Sequence, residues 1–142
     1  MTPFRLGQLD HVVLRTPNLD AMIAFYGGVL GCSVERRLDD VGLVQLRAGA
    51  ALIDLVPVDG ELGRRGGAAP GVEGRNLDHF CLTVEPFDEP ALLGHLDAAG
   101  VEHSAVRRLY GATGFGPSIY ISDPDGNTVE LKGPGDLDTP QP

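Results

Sequence analysis

The sequence has few cysteines and a shortage of positive charge, and each of these shortages excludes a class of protein. It also has no tryptophan. Cys32 and Cys81 are the two cysteines among 142 residues, and they form no CxxC pattern. A disulfide framework or a zinc ribbon is therefore not expected, and we interpret both as buried, reduced thiols. Lys and Arg total 11 against 20 Asp and Glu, a net charge of −9. This balance argues against nucleic acid or an anionic membrane surface as a partner.

Long apolar runs are also lacking. The most apolar stretch, residues 48–58, is interrupted by Asp54 and is much shorter than the ~20 residues that a bilayer requires. The N-terminus has no basic start followed by an apolar region, so we predict a cytoplasmic protein. The length predicts a single domain, and the 20 Gly and 11 Pro predict many turns and loops.

A repeat runs through the chain. Leu9-Asp10-His11 and Leu77-Asp78-His79 are 68 residues apart, and each is followed by an apolar stretch, an Asp and a helical pattern that ends at a Gly. Each half then ends on a strand that carries a carboxylate, Asp54 in the first and Glu130 in the second. The sequence therefore predicts two related modules.

Each module reads as one helix and four strands. In the first module we predict strands near residues 8–15, 33–38, 43–47 and 50–57, with a helix over 19–29. In the second we predict strands near 78–84, 102–107, 117–122 and 127–132, with a helix over 88–99 and a turn at 123–126. The resulting boundaries are 8–57 and 77–132 for the modules, 58–76 for a Gly-rich linker and 133–142 for a flexible tail. Residues 108–116 read as a second Gly-rich loop, and either loop could be a lid.

Alternation along the strands places a His or a carboxylate opposite an apolar face in all four repeated strands. The neighbours of Asp54 on its face are Leu52 and Val56, so its carboxylate points into apolar surroundings, where a charge is costly unless it is paired or binds a metal. Two imidazoles and two carboxylates could converge on one Mn²⁺, Fe²⁺, Co²⁺, Ni²⁺ or Zn²⁺ ion. The alternative is two core histidines and an ion pair from Asp54 to an arginine, Arg37 or Arg47. The predicted metal ligands are His11, Asp54, His79 and Glu130.

These features resemble the vicinal oxygen chelate superfamily of glyoxalase I, fosfomycin-resistance proteins, methylmalonyl-CoA epimerase, bleomycin-resistance proteins and extradiol dioxygenases. The resemblance covers about residues 8–132 and rests on the repeat and on the ending Asp123-Pro124-Asp125-Gly126-Asn127…Val129-Glu130-Leu131. It implies an α+β fold of two tandem βαβββ modules that form an open, cup-shaped mixed sheet with helices outside. By position it assigns the metal ligands of glyoxalase-like members to the same four residues. The family usually has Glu or Gln where this chain has Asp54, so direct binding by Asp54 is left open.

The resemblance implies a divalent-metal-dependent lyase or isomerase, similar to lactoylglutathione lyase, that stabilises an enediolate or alkoxide in a small oxygenated substrate. Glu130 is then the candidate general base. The alternatives are a ring-cleaving dioxygenase of the extradiol type, an epoxide-opening antibiotic-resistance enzyme, and a metal-free antibiotic-binding protein. A homodimer is expected, and the site could draw its ligands from one chain or from two. Residues that could orient an anionic substrate are Arg47, Arg107, Ser118, Tyr120, Thr128 and Lys132.

Overall fold

The computed structural model describes residues 2–136 and divides into two compact units, with the boundary between Pro70 and Gly71. The first unit contains strand β1 (His11–Thr16), helix α1 (Leu19–Ile23), which continues as a π-helical turn over Ala24–Val29, and strands β2 (Ser33–Leu38), β3 (Leu43–Ala48) and β4 (Ala51–Pro57). A short 3₁₀ helix follows at Gly63–Gly66. The second unit contains β5 (His79–Thr83), α2 (Glu89–Ala98), β6 (Arg107–Gly111), β7 (Gly114–Ser122) and β8 (Thr128–Lys132).

The two sheets have the same topology. Their strand orders are β1-β4-β3-β2 and β5-β8-β7-β6, and in each sheet the first pair is parallel and the others are antiparallel. Two tandem βαβββ units with mixed four-stranded sheets confirm the predicted α+β fold class.

One face of each sheet forms a core, as the alternation predicts. In the first unit α1 packs against β4, and the side chains of Met22 and Tyr26 are fully buried. The predicted helix keeps its extent of 19–29, but its second half winds with a wider turn at Gly27-Gly28, where small residues weaken the regular α-helix. Buried apolar strand residues include Leu14, Leu46, Ile53 and Leu55 in the first unit and Ile119, Ile121, Val129 and Leu131 in the second.

The second helix and the turn before β8 form as predicted. The Asp88 side chain caps α2 by accepting a hydrogen bond from the Ala91 amide. At the turn, both the Asp125 and the Asn127 amides donate to Oδ1 of Asp123, and Gly126 takes a positive φ of 79°. These hydrogen bonds fix the start of β8, which carries Glu130.

Three predictions about the second unit and its tail are wrong. The strand expected over 102–107 lies at Arg107–Gly111, and the expected loop over 108–116 is the β6–β7 hairpin. The glycines read as a loop by propensity, but pairing with β7 outweighs local preference in a sheet. Residues 133–136 of the predicted flexible tail are ordered against β7, with the Gly133 amide bonded to the Pro117 carbonyl. The remainder of that tail, 137–142, lies outside the described residues.

Two smaller features also bear on the predictions. Both cysteines are free, as expected, but Cys32 is only partly buried and Cys81 is exposed. Within residues 2–136, no helix is both long and apolar enough to cross a membrane.

Candidate metal and substrate site

His79 and Glu130 lie together on the polar face of the second sheet. Nε2 of His79 is 3.9 Å from a carboxylate oxygen of Glu130, and Nδ1 of the same ring is hydrogen-bonded to Asp78 at 2.7 Å. Because a carboxylate can only accept, Nδ1 is the donor in this bond. A neutral ring then carries its lone pair on Nε2, the nitrogen that faces Glu130, and a neighbouring carboxylate is the usual device for orienting a metal-binding His.

Two further side chains surround the Glu130 carboxylate. Cys81 and Tyr120 are its partners in the neighbouring strands, and the Tyr120 ring meets the His79 ring edge-on with centroids 5.4 Å apart. Burial, with the Glu130 carboxylate adding to it, raises the pKa of Cys81 to about 12. The same two causes raise the pKa of Tyr120. Both groups are therefore protonated near neutral pH and able to donate to an anionic Glu130.

His11 repeats the Asp–His arrangement in the first unit. Its Nδ1 is hydrogen-bonded to Oδ1 of Asp10 at 2.6 Å, and the ring is exposed. This hydrogen bond raises the pKa of His11, and the negative charge of Asp54 contributes to the increase. Asp54 therefore lies close enough to influence the ring. Both imidazoles are thus held by the Asp that precedes them in sequence.

Asp54 is buried and only half satisfied. Its side chain lies on β4 between Val13 and Gln45, and Oδ2 accepts a hydrogen bond of 3.0 Å from Nε2 of Gln45. Its Oδ1 is buried with no hydrogen-bond partner among the described residues. A buried carboxylate oxygen without a partner is costly, so this oxygen favours a ligand.

The arginines offered as the alternative partners of Asp54 are engaged elsewhere. Nε of Arg37 pairs with Asp39 at 3.1 Å, and Nε of Arg47 pairs with Glu35 at 3.2 Å. The alternative interpretation, an ion pair from Asp54 to Arg37 or Arg47, is therefore not supported. Arg47 therefore already has an anionic partner, and the Asp10 charge also acts on it.

Each unit thus supplies one His and one carboxylate. Over residues 2–136, no three His, Cys, Asp or Glu side chains are gathered closely enough to hold a metal ion. The structure brings together His79 and Glu130, and it places His11 and Asp54 on a common face of the first sheet.

The six candidate substrate residues differ in their surroundings. Arg107 is exposed, whereas Ser118 and Lys132 are buried on neighbouring strands of the second sheet. Tyr120 and Thr128 line an open cavity of about 310 Å³, together with His103, which is hydrogen-bonded to Asp97 and to the Ser104 carbonyl. Tyr120, Ser122 and Thr128 share the strand face of Glu130, and the cavity could admit a small molecule.

Sequence reasoning missed the residues that support the four predicted ligands. Asp10 and Asp78 belong to the repeated Leu-Asp-His tripeptide, and their recurrence was the signal for a shared role. Gln45 had no such signal, because only the β3–β4 register places it beside Asp54. Pairing across strands is not visible in the pattern of one strand.

Comparison with known proteins identifies relatives over almost the whole chain. Residues 8–131 match the family model described as the Glyoxalase/Bleomycin resistance protein/Dioxygenase superfamily. The virulence protein STM3117 of Salmonella typhimurium is 32% identical over 130 residues, which cover 89% of this chain and 83% of that protein. Its crystal structure superposes with a TM-score of 0.73 at 26% identity, covering 92% of this chain and 98% of that one.

Two more distant structures share the fold. Lactoylglutathione lyase from Agrobacterium tumefaciens superposes with a TM-score of 0.67 at 22% identity, covering 93% of this chain and 96% of that one. The fosfomycin-resistance protein FosX from Listeria monocytogenes superposes with a TM-score of 0.67 at 20% identity, covering 94% and 97% respectively. At these identities the likeness is one of fold.

Proposed function

This chain belongs to the glyoxalase, bleomycin resistance protein and dioxygenase superfamily, also called the vicinal oxygen chelate superfamily, and we propose that it is a divalent-metal-dependent lyase or isomerase. The proposed reaction is proton transfer beside a carbonyl group of a small oxygenated substrate. The observation that carries the proposal is the pair His79–Glu130, in which Nε2, the ring nitrogen facing the carboxylate, is the one that is not bonded to Asp78.

The proposed metal ligands are His11, Asp54, His79 and Glu130. Two imidazole nitrogens and two carboxylates form a mixed set that fits Zn²⁺, Ni²⁺, Mn²⁺, Fe²⁺ or Co²⁺. The unpartnered, buried Oδ1 of Asp54 supports this fit, as do the two Asp–His hydrogen bonds.

A cation held by these ligands would supply positive charge close to the substrate oxygens as negative charge develops on them. We assign the proton transfer itself to the Glu130 carboxylate, which is 8% exposed and has the protonated Tyr120 and Cys81 beside it. Asp10 and Asp78 fix the orientation of the two rings and leave Nε2 of each as the binding nitrogen.

Substrate contacts would come from the same face of the second sheet. Tyr120 and Thr128 line its cavity, and Ser118 and Lys132 lie farther along β7 and β8. Arg107, which is exposed, and Arg47, which is paired with Glu35, remain candidates for binding an anionic group of the substrate.

An epoxide-opening antibiotic-resistance enzyme is the second candidate function, with the same four residues as ligands. Ring-cleaving dioxygenase and metal-free antibiotic-binding activities are the remaining alternatives. Three substrate panels separate these classes: thiohemiacetals of 2-oxoaldehydes, epoxides and catechols, each assayed with protein purified anaerobically and loaded with one metal at a time. The matched variants are His79→Ala and, as a control, His95→Ala, which removes an exposed imidazole of α2.

We expect isomerisation of a thiohemiacetal that stops on chelation of the metal and is lost in His79→Ala but retained in His95→Ala. Epoxide opening with the same dependence would favour the second candidate. Catechol cleavage with uptake of O₂ would overturn the proposed reaction. Binding of a drug by the metal-free protein, with no turnover on any panel, would overturn the assignment as an enzyme.

Two broader expectations belong to the same proposal. We propose that the protein acts in the cytoplasm as a homodimer. Sedimentation velocity of wild-type protein, with and without metal, measures the oligomeric state directly, and a monomer under both conditions would contradict the dimer.

A further inference from the structure

Lys132 is the single lysine of the chain, since all ten other basic residues are arginines. It ends β8 with only 6% of its surface exposed. Its Nζ donates one hydrogen bond, of 3.3 Å, to the Gly133 carbonyl. Among residues 2–136, no carboxylate oxygen lies within 4.0 Å of this nitrogen. A buried ammonium group normally has an anionic partner, because its loss of hydration is otherwise uncompensated.

The β6–β7 hairpin has space for this side chain because two of its residues lack a Cβ. A Cβ at Gly116 would stand 2.9 Å from Nζ of Lys132, and one at Gly111 would stand 3.0 Å from its Cε. A larger residue at Gly111 would displace the lysine, whereas one at Gly116 would also meet the carbonyl oxygens of Gly133 at 2.8 Å and Pro134 at 2.9 Å. The glycines that make this segment resemble a loop in the sequence therefore allow the ammonium group to lie against the sheet.

Ser118 provides a second unsatisfied group beside Lys132. The two residues are partners in the antiparallel β7–β8 register, so their side chains share the face that carries Glu130 and Tyr120. Ser118 is 1% exposed, and its Oγ has no hydrogen-bond partner in the described part of the chain. Within residues 2–136, a buried hydroxyl without a hydrogen-bond partner and a buried ammonium with no carboxylate oxygen within 4.0 Å thus lie on adjacent strands.

We propose that Lys132 and Ser118 form an oxyanion subsite that binds a carboxylate or phospho group of the substrate. The ammonium group has two N–H donors beyond the one used by Gly133, and the hydroxyl has one, so together they can satisfy an oxyanion. A neutral substrate group would leave the ammonium charge uncompensated. The assignment to the substrate rests on the proposed function, because Glu130 is on the same face, but binding of the anion itself requires no metal.

The test uses metal-free protein in which lysine is labelled with ¹³C at Cε. Because the chain has one lysine, the spectrum contains one lysine signal, which reports on Lys132 alone. Inorganic phosphate and acetate are titrated separately, with chloride at equal ionic strength as the control. We expect a saturable shift with a dissociation constant near about 1 mM for at least one anion, and no saturation with chloride. Which anion saturates tells a phospho group from a carboxylate.

The variants Ser118→Ala and Gly111→Ala test the two parts of the subsite separately. Loss of the hydroxyl is expected to weaken binding about tenfold, which corresponds to about 1.4 kcal/mol. Gly111→Ala, whose Cβ would have only Lys132 atoms as its three nearest neighbours, should move the lysine signal before any anion is added. His79→Ala, which tests the proposed metal site, should leave anion binding unchanged, so the two proposals can fail separately. No saturable shift with either anion up to about 50 mM, or equal affinity in Ser118→Ala, would overturn the subsite.

Discussion

The two units share a topology but differ in the polarity of the face around their carboxylates. Register places Val13 and Gln45 beside Asp54, and it places Cys81 and Tyr120 beside Glu130. The residues two positions before and after each carboxylate also differ in polarity. They are the apolar Leu52 and Val56 on β4, and the polar Thr128 and Lys132 on β8.

This difference indicates a division of roles between two copies of one module. The first unit has a His and a carboxylate, and three of the four nearest strand neighbours of that carboxylate are apolar, which is sufficient to hold a ligand atom. The second unit has the groups that can move a proton or bind an anion. We therefore expect substitutions at Asp54 to change metal binding and stability, and substitutions at Glu130 to change the chemical step.

The largest expected effect concerns turnover. Glu130→Gln removes the proposed base and should lower kcat by about 10²- to 10⁴-fold, since this is the usual contribution of a general base. Asp54→Asn should lower kcat less when metal is saturating. Initial rates of the two variants at saturating metal measure this contrast, with Glu89→Gln, an exposed residue in the first turn of α2, as the control. Equal losses of kcat at Asp54 and Glu130 would break the distinction between the units.

A smaller effect is expected on the free energy of unfolding. Its sign should differ between metal-free and metal-loaded protein. In metal-free protein, Asp54→Asn replaces a buried charge that has one unpartnered oxygen, so the free energy of unfolding should rise by about 1 kcal/mol. In metal-loaded protein the same change should lower it, because a ligand is lost. Urea unfolding of both forms measures the two signs. The exposed Asp40→Asn is the control, and a destabilised metal-free Asp54→Asn would contradict the assignment of Asp54 as an unsatisfied ligand.

The smallest expected effect is on the titration of His11. The hydrogen bond to Asp10 raises the pKa of His11, so the pair stabilises the folded protein below the ordinary His pKa of 6.5, and this contribution disappears as the pH rises through the raised value. Asp10→Asn should therefore lower the pKa of His11. A metal ion should then compete with protons for the His11 ring at a lower pH than in the wild type. An NMR titration of the His11 ring measures the change. An unaltered titration curve would remove Asp10 from its orienting role.

The sequence was sufficient to predict the fold class and the faces of the repeated strands, because a period of two and a recurring Leu-Asp-His are local signals. The sequence did not predict the β6–β7 hairpin, because its glycines are typical of a loop. In the structure, two of these glycines leave space for the Lys132 side chain. The sequence also failed at Gln45, whose proximity to Asp54 depends on the pairing between strands. Local patterns report which residues face inward, whereas register between strands decides which of them meet.

The measurement that tests the account most directly is the metal content of protein purified without added metal. Elemental analysis of the wild type should find about one equivalent of a divalent transition metal per chain. We expect loss of most of it in His79→Ala and in Glu130→Ala, and its full retention in His95→Ala. Less than about a tenth of an equivalent in the wild type, unchanged by substitution of His79 or Glu130, would contradict the proposed metal site.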